Sequence, residues 1–307
     1  MKMDEKRQAQ LKKKFDDAVD SFVDKMKDDP NIIAVIVCGS VAYDMVWEKS
    51  DIDMTLVVRD QNLKNYSYSI IENDILINVG ISTRSSFRRY LEKDIGGSFS
   101  QAYFSKGKIV YTTDDSLHEF FEDMKIMGSD DIALSAFFMG CQLVGIYEKC
   151  QKWLTVKEDL LYTQYYVLKA AEVIANMELC LAGETASRES IQKAQALNPE
   201  LIKTFYQEAM SHHLNREELE AAIIKIDNYL ESKLDVLKKP VIEFMSDNEI
   251  KTTTLIAKHF RNDSHFLHNM FDYLADKGVI ERVSQTIRIT PKSKLAVEEL
   301  GYLLITS

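Results

Sequence analysis

The sequence predicts an α+β fold: a small mixed β-sheet with flanking helices, then an all-helical bundle and a C-terminal winged helix. Three observations predict it. β-rich runs are concentrated between residues 32 and 111, no strand-like alternation occurs from Ser129 to Leu237, and short helices with a β-ribbon close the chain. The 307 residues are enough for three domains, which we place at 1–127, 128–239 and 240–307.

Composition is that of a soluble globular protein, with 46% hydrophobic and 28% charged residues. The four cysteines stand in apolar contexts without metal-type spacing, which predicts reduced thiols and a cytoplasmic location. No run approaches the ~18 apolar residues of a spanning helix, so we expect no membrane partner. The net charge of −10 argues against broad nonspecific affinity for nucleic acid. It is compatible with a cationic substrate, but it is also ordinary for a cytosolic protein, which is the simpler explanation of the charge taken alone.

The N-terminal elements follow from periodicity and breakers. Apolar residues at helical spacing from Leu11 to Met26 predict a helix over 4–28, which Pro30 ends. Predicted strands are Ile32–Val37, Asp51–Val58, Tyr66–Ile71, Ile75–Ser82, Ala102–Phe104 and Lys108–Tyr111. Predicted helices between and after them are Val41–Met45, Arg84–Glu92 and Asp115–Met124.

The remaining two thirds are mostly helical. The bundle is predicted as helices at about 130–152, 157–182, 187–196, 199–212 and 215–237. After the boundary at Lys239-Pro240, the sequence predicts a segment 241–245, helices at 254–260 and 264–277, a β-ribbon over 283–289, and a helix from Pro291 to Leu300. This last region resembles a winged helix-turn-helix, with Gly278 ending its third helix.

One short stretch indicates phosphate chemistry. The first strand ends in Gly39-Ser40, ten residues follow, and the next strand opens with Asp51-Ile52-Asp53. Gly39 lets the backbone approach a phosphate without a Cβ in the way, Ser40 adds a hydroxyl, and the following helix offers free N–H groups. Asp51 and Asp53 share one face of a strand and together suit a divalent cation such as Mg²⁺ or Mn²⁺.

The pattern Gly39-Ser40-x10-Asp51-x-Asp53 resembles the signature of the DNA polymerase β-like nucleotidyltransferase superfamily, in its antibiotic and minimal branches. The resemblance extends as an order of strands and helices over roughly the first 125 residues. It implies that Asp51 and Asp53 are metal-binding catalytic residues and that Gly39 and Ser40 bind the triphosphate. Over 128–239 the resemblance is one of architecture, to the helical bundle of kanamycin-type nucleotidyltransferases.

The resemblance also implies a third carboxylate on a neighbouring strand, where this chain has Asn78. An amide cannot act as a base and carries no charge for a metal. Three explanations stay open. Glu72 or Asp74 serves instead; the site uses one metal and a base from the bundle, such as Glu158, Asp159 or Glu172; or the protein binds nucleotide without transferring it.

Other candidates for the site are basic and aromatic side chains. Lys49, just before Asp51, and Arg84, after the hairpin, are predicted nucleotide-binding residues. Arg88, Lys157 and Lys169 are further cations, although a solvated surface charge is the simpler explanation for each. The cluster Tyr162, Tyr165 and Tyr166 could stack on a base, but core packing is more frequent at that spacing.

The C-terminal segment is a weak candidate for DNA binding. From Pro240 onward eight Lys/Arg face nine Asp/Glu, and the expected recognition helix, Ser264 to Lys277, carries two acids and one cation. DNA-binding proteins contact phosphates and bases with Arg or Lys side chains. In this segment only Arg282 and Arg288 in the wing suit that role. Dimerisation, or use as a wall of the active site, fits this charge count at least as well.

The leading hypothesis is therefore an enzyme that moves a nucleoside monophosphate, AMP from ATP, to a hydroxyl of a small molecule or a protein. The acceptor would lie between sheet domain and bundle, whose net charge of −5 from Ser129 to Lys239 suits an aminoglycoside-like polycation. The alternative is a noncatalytic nucleotide-binding regulator whose winged helix binds DNA or protein. An acid beside the aspartates would favour the enzyme, whereas Asn78 alone with an exposed recognition helix would favour the regulator.

Overall fold

The computed structural model describes residues 5–42, 46–93, 104, 107–123, 128–184 and 189–305. The chain divides into two compact units, Met1–Met127 and Gly128–Ser307. The structure has the predicted α+β class, with a five-stranded mixed sheet first, helices next and a small antiparallel sheet last. Division of the second unit at residue 240 stays a prediction.

The N-terminal unit contains one sheet and helices on both of its faces. Its strands are β1 (Ile32–Cys38), β2 (Ile52–Val58), β3 (Ser67–Glu72), β4 (Ile75–Thr83) and β5 (Lys108–Thr112). Its helices are α1 (Glu5–Met26), α2 (Gly39–Ala42), α3 (Arg84–Lys93) and α4 (Ser116–Asp123). The predicted helix at 41–45 and strand at 102–104 lie largely outside the described residues.

The sheet order β3-β4-β2-β1-β5 places the signature strands at its centre. β1 is buried at every position, as its unbroken apolar sequence predicts. β2 pairs antiparallel with β1 and parallel with β4, with Asp53 opposite Cys38 on one side and Asn78 on the other. This register brings the end of β1, the start of β2 and Asn78 of β4 together around Asp53.

The two faces of the sheet bury different side chains. Helix α1 covers one face with Phe15, Ala18, Val19 and Phe22, which repeat at helical spacing and pack against β2 and β4. The other face packs Phe87 of α3 and residues of α4 against β1 and Val57. Asp53 alternates with the buried Ile52 and Met54, so it lies on the face that α3 and α4 cover only in part.

The second unit begins with a pair of long helices. Its helices up to residue 244 are α5 (Ser129–Thr155), α6 (Leu160–Leu181), α7 (Ser190–Leu197), α8 (Pro199–Ile202), α9 (Ala209–Ser211), α10 (Arg216–Ser232) and α11 (Leu234–Phe244). A π-helix, Lys203–Glu208, joins α8 to α9 and interrupts the single helix predicted at 199–212. The buried Gln164 fixes this segment by donating to the carbonyls of Ala209 and His212 and accepting from the Leu214 N–H.

The C-terminal part contains β6 (Lys251–Thr252), α12 (Thr253–Phe260), α13 (Ser264–Asp276), β7 (Ile280–Ile287) and β8 (Val297–Leu304). The helix predicted from Pro291 to Leu300 is wrong, because residues 291–296 are turns and bends and β8 begins at Val297. β8 pairs with β7 along eight positions and with β6 at Gly301. A Cβ on Gly301 would lie 2.9 Å from Ile250 Cγ2, so this close pairing favours glycine.

Helix α11 runs through the predicted boundary, with Pro240 buried inside it. Its neighbours α5 and α13 pack so closely that a Cβ on Gly140 would lie 2.5 Å from Met270 Cε. Phe137 of α5 stacks on Phe260 of α12 at a centroid distance of 4.8 Å. Bundle and C-terminal residues therefore share one hydrophobic core.

Two further findings concern the cysteines and the helices of the described residues. All four cysteines are buried. None of the helices in the described part of the chain is long and apolar enough to cross a membrane.

Candidate active site

Asp51 and Asp53 lie together at the start of β2, on the same face and partly exposed. Gly39 adopts a left-handed φ of 68° directly after β1, and a Cβ there would lie 2.5 Å from Asp53 Oδ2. Only glycine lets the turn approach the carboxylate so closely. The turn expected to hold phosphates and the carboxylates expected to hold a metal thus meet at one point.

Asn78 completes this group from β4. Its side-chain N–H₂ donates to Asp51 Oδ2 at 2.6 Å, and Ser69 Oγ on β3 donates to Asn78 Oδ1 at 2.9 Å. The Ser69 bond orients the amide, so that its nitrogen faces the carboxylate. Asn78 therefore positions Asp51 but brings no third negative charge.

Neither acid of the hairpin replaces it. Glu72 faces α1, where its carboxylate accepts hydrogen bonds from Ser21 and Lys25 at 2.6–2.7 Å. The Lys25 bond in particular holds the pKa of Glu72 below its ordinary value. Asp74 lies in the turn with a φ of 61°, four positions and roughly 13 Å along the strand from Asn78. Both substitutes expected for the third carboxylate are thus excluded by their positions.

The donor set suits one divalent cation. Two co-facial carboxylates offer hard oxygen ligands, and phosphate oxygens and water would fill the remaining positions. Across the residues that the structure describes, no three His, Cys, Asp or Glu side chains gather as a metal site. A cation here would therefore depend on the nucleotide for part of its coordination.

The predicted basic residues differ in position. Lys49 is exposed in the turn Trp47–Ser50, two residues before Asp51, with its Nζ 6.0 Å from the Trp47 ring centroid. Arg84 begins α3 at the opposite end of β4, six positions and roughly 20 Å from Asn78. It donates to Asp114 Oδ2 at 2.6 Å. The structure therefore places Lys49 near the aspartates and Arg84 away from them. The Ser40 hydroxyl lies outside what the structure describes.

In the second unit, the tyrosine cluster forms an exposed aromatic surface. Tyr162 and Tyr165 are 41% and 45% exposed, and Tyr162 lies 4.2 Å from Trp153. Lys169 Nζ lies 5.0 and 5.4 Å from the ring centroids of Tyr165 and Tyr166. Core packing thus explains only part of this cluster.

The expected recognition helix, α13, packs one face into the bundle, and its other face stays partly exposed. Phe266 stacks on Phe138 of α5, and Tyr273 donates to Asp227 of α10 at 2.9 Å. Arg282, one of the two wing cations, donates to Asp272 and Asp276 of the same helix at 2.7–2.8 Å. These bonds raise the pKa of Arg282 and neutralise its charge locally. One of the two wing cations expected to contact DNA is therefore bonded to carboxylates of α13.

Comparison with known proteins agrees with the geometry. Residues 21–116 match the family of polymerase β nucleotidyltransferases. This segment is a nucleotidyltransferase domain of the DNA polymerase β-like superfamily. The crystal structure of a nucleotidyltransferase-like protein from Exiguobacterium sibiricum 255-15 superposes with a TM-score of 0.67 at 15% identity. It covers 94% of this chain and 99% of its own, so the fold is similar along nearly the whole length. Among curated proteins, none matches this sequence.

The nucleotidyltransferase domain implies nucleotidyl transfer in general, with a nucleoside triphosphate as substrate. The sequence signal for this site was strong, because strand periodicity alone makes Asp51 and Asp53 co-facial. The role of Ser69 was missed. Its only signal is the antiparallel pairing of β3 with β4, which sets it opposite Asn78.

Proposed function

We propose that this protein transfers a nucleoside monophosphate, AMP from ATP, to a hydroxyl group of a small molecule or a protein in the cytoplasm. The observation that carries the proposal is the contact between the Gly39 turn and the Asp53 carboxylate. A phosphate-binding turn beside two co-facial carboxylates suits a metal-bound triphosphate.

Each residue has a defined task in the transfer. Asp51 and Asp53 would hold Mg²⁺ or Mn²⁺, which when bound neutralises charge on the phosphates. Gly39 admits the β- and γ-phosphates to the turn, and Lys49 adds a positive charge beside them. The acceptor oxygen bonds to the α-phosphorus, the bond to the bridging oxygen breaks, pyrophosphate leaves, and the acceptor proton passes to water.

The decisive experiment measures pyrophosphate release and label transfer from α-labelled nucleotides with Mg²⁺ or Mn²⁺ and a panel of acceptors. We expect Asp53→Asn to lower the rate by at least about 100-fold, since it removes a metal ligand. Asp115→Asn, an exposed acid outside the site, is the matched control. Equal rates for wild type and Asp53→Asn with every acceptor would refute the proposal for those acceptors.

Asn78 supports a second function, a noncatalytic nucleotide-binding regulator. The amide supplies no base, and no third acid accompanies the aspartates among the described residues. Such a protein would bind Mg-ATP in calorimetry and release no pyrophosphate with any acceptor. The bonds of Arg282 to Asp272 and Asp276 leave fewer cations for DNA, so a protein partner fits its output better.

A further inference from the structure

An exposed apolar pair lies beside the candidate site. Ile71 of β3 and Leu76 of β4 are register partners, 74% and 44% exposed. The next pair on the same face is Ser69 and Asn78, roughly 7 Å along the strands. Continuing the register of β2 and β4 by one residue sets Leu76 beside Asp51, about 5 Å away across the sheet. We call Ile71 and Leu76 the apolar shelf.

The order of the strands determines on which side of the two carboxylates the apolar shelf lies. Gly39 lies on the β1 side of the carboxylates, and the shelf lies on the β4 and β3 side. In an in-line displacement at phosphorus, the attacking and leaving oxygens are on opposite sides. If the leaving pyrophosphate occupies the Gly39 turn, the acceptor arrives from the side of the shelf.

The chemistry of the shelf defines what it can bind. Two aliphatic side chains offer apolar contact, and Ser69 and Asn78 offer polar groups next to them on the same face. The charged groups of the hairpin are not arranged for a polycation, since Glu72 is bonded to Lys25 on the other face and Asp74 lies in the turn. This surface suits a neutral molecule with an aliphatic or aromatic face.

We propose that the apolar shelf binds the apolar part of the acceptor and directs its hydroxyl toward Asp51. The inference rests on the proposed function and narrows it, from any hydroxyl compound to one with an apolar face. It disfavours an aminoglycoside-like acceptor at this position.

The test observes the shelf directly, by methyl NMR of the full-length protein labelled at Ile and Leu. The probe is 2-phenylethanol, added with Mg²⁺ and a nonhydrolysable ATP analogue. We expect saturable shifts of the Ile71 and Leu76 methyl signals. The double variant Ile71→Thr/Leu76→Thr should weaken probe binding about tenfold, the factor that corresponds to losing about 60 Å² of apolar contact. Tyr68→Thr, an exposed residue on the opposite face of β3, is the control and should bind as wild type.

Two results would overturn the inference. In one, the probe causes no shift of the shelf methyls beyond the shift caused by the nucleotide alone. In the other, the shelf methyls move on dilution of the protein, which would indicate a second copy as occupant. The proposed function fails separately, if the ATP analogue perturbs no signal near Gly39 or if no acceptor is labelled. Ile71→Val should retain binding, which separates a lost contact from misfolding of the strand.

Discussion

The absence of a side chain at Gly39 is what allows this residue to lie so close to the Asp53 carboxylate. The left-handed φ of Gly39 strains any other residue, and the nearby carboxylate leaves no room for a Cβ. These are separate costs. A second glycine, Gly183, has a similar φ of 77°, but a Cβ added there would meet nothing within 4 Å. A substitution at Gly183 therefore measures the strain of the positive φ without the steric clash that a Cβ would meet at Gly39.

We therefore predict that Gly39→Ala destabilises the protein more than Gly183→Ala does. Both should lose about 1 kcal/mol through backbone strain. Gly39→Ala should lose a further 1–3 kcal/mol, about the cost of overpacking, and should also weaken Mg-ATP binding. Chemical denaturation and calorimetry measure the two effects. Equal losses in the two variants would show that the contact with Asp53 carries no energetic weight.

Asn78 yields the second prediction at this scale. Asn78→Asp would place a carboxylate against Asp51, where the amide now donates at 2.6 Å. Like charges at that distance repel, so the variant should be less stable than wild type without metal. Mg²⁺ should restore the loss, giving a larger rise in Tm than wild type shows. Ser69→Ala, which removes only the orienting bond, is the control. If the Tm of Asn78→Asp did not rise on addition of Mg²⁺, the result would contradict a metal position at Asp51.

Residue positions could be predicted from the sequence only where strand periodicity determines them. Asp51 and Asp53 are two apart on one strand, and no other information is needed to make them co-facial. The positions of Arg84 and Glu72 relative to the aspartates depend on how the strands pair. The parallel pairing of β2 with β4 sends Arg84 to the far end of the sheet, and the antiparallel β3 turns Glu72 toward α1. Neither outcome is contained in local sequence.

At the scale of elements, α1 is attached to the sheet by an ion pair as well as by its apolar face. Glu72 accepts hydrogen bonds from Lys25 and Ser21, and these lower its pKa in the folded protein. A depressed carboxyl pKa stabilises the fold above the unfolded value, about 4.5. That contribution is lost as the pH falls through the folded pKa. Acid should therefore loosen α1 from β3.

We accordingly predict that Glu72→Gln removes part of the acid sensitivity of the protein. Wild type should lose stability from about pH 5 downward, and the variant should lose less over the same range because it has no such proton to bind. Denaturant midpoints measured from pH 3 to pH 7 would reveal the difference. Asp74→Asn, two residues away in the exposed turn, should follow the wild-type curve. Parallel curves for wild type and Glu72→Gln would show that the pair does not contribute.

The element that sequence patterns missed is β8. Its residues alternate poorly, and Glu298 and Glu299 are good helix formers. Pairing overrides this propensity, because β7 offers eight partners and β6 a further edge. Glu299 then gains a local task, since its carboxylate accepts from the Thr254 N–H at 2.8 Å at the start of α12. Such long-range pairing is invisible in a short window of sequence.

For the molecule as a whole, the unsettled question is whether residues 240–307 fold apart from the bundle. Their aromatic residues fill the same core as those of α5, and α11 runs through residue 240. Lys277, directly after α13, also forms two salt bridges to α10, one with Asp227 and one with Glu231. These contacts favour one cooperative unit over two.

We predict that residues 128–307 unfold in one transition and that residues 128–249, which retain α11 intact, do not fold alone. Phe260→Ala provides the same test in the full chain. It should lower the free energy of unfolding of the bundle and the C-terminal part together by about 3–5 kcal/mol, the usual cost of deleting a buried ring. Helical circular dichroism and amide exchange would follow both parts. Separate transitions, with only the C-terminal one displaced, would instead establish a third domain. In that case the Phe137–Phe260 stack would be an interface between domains rather than the centre of a shared core.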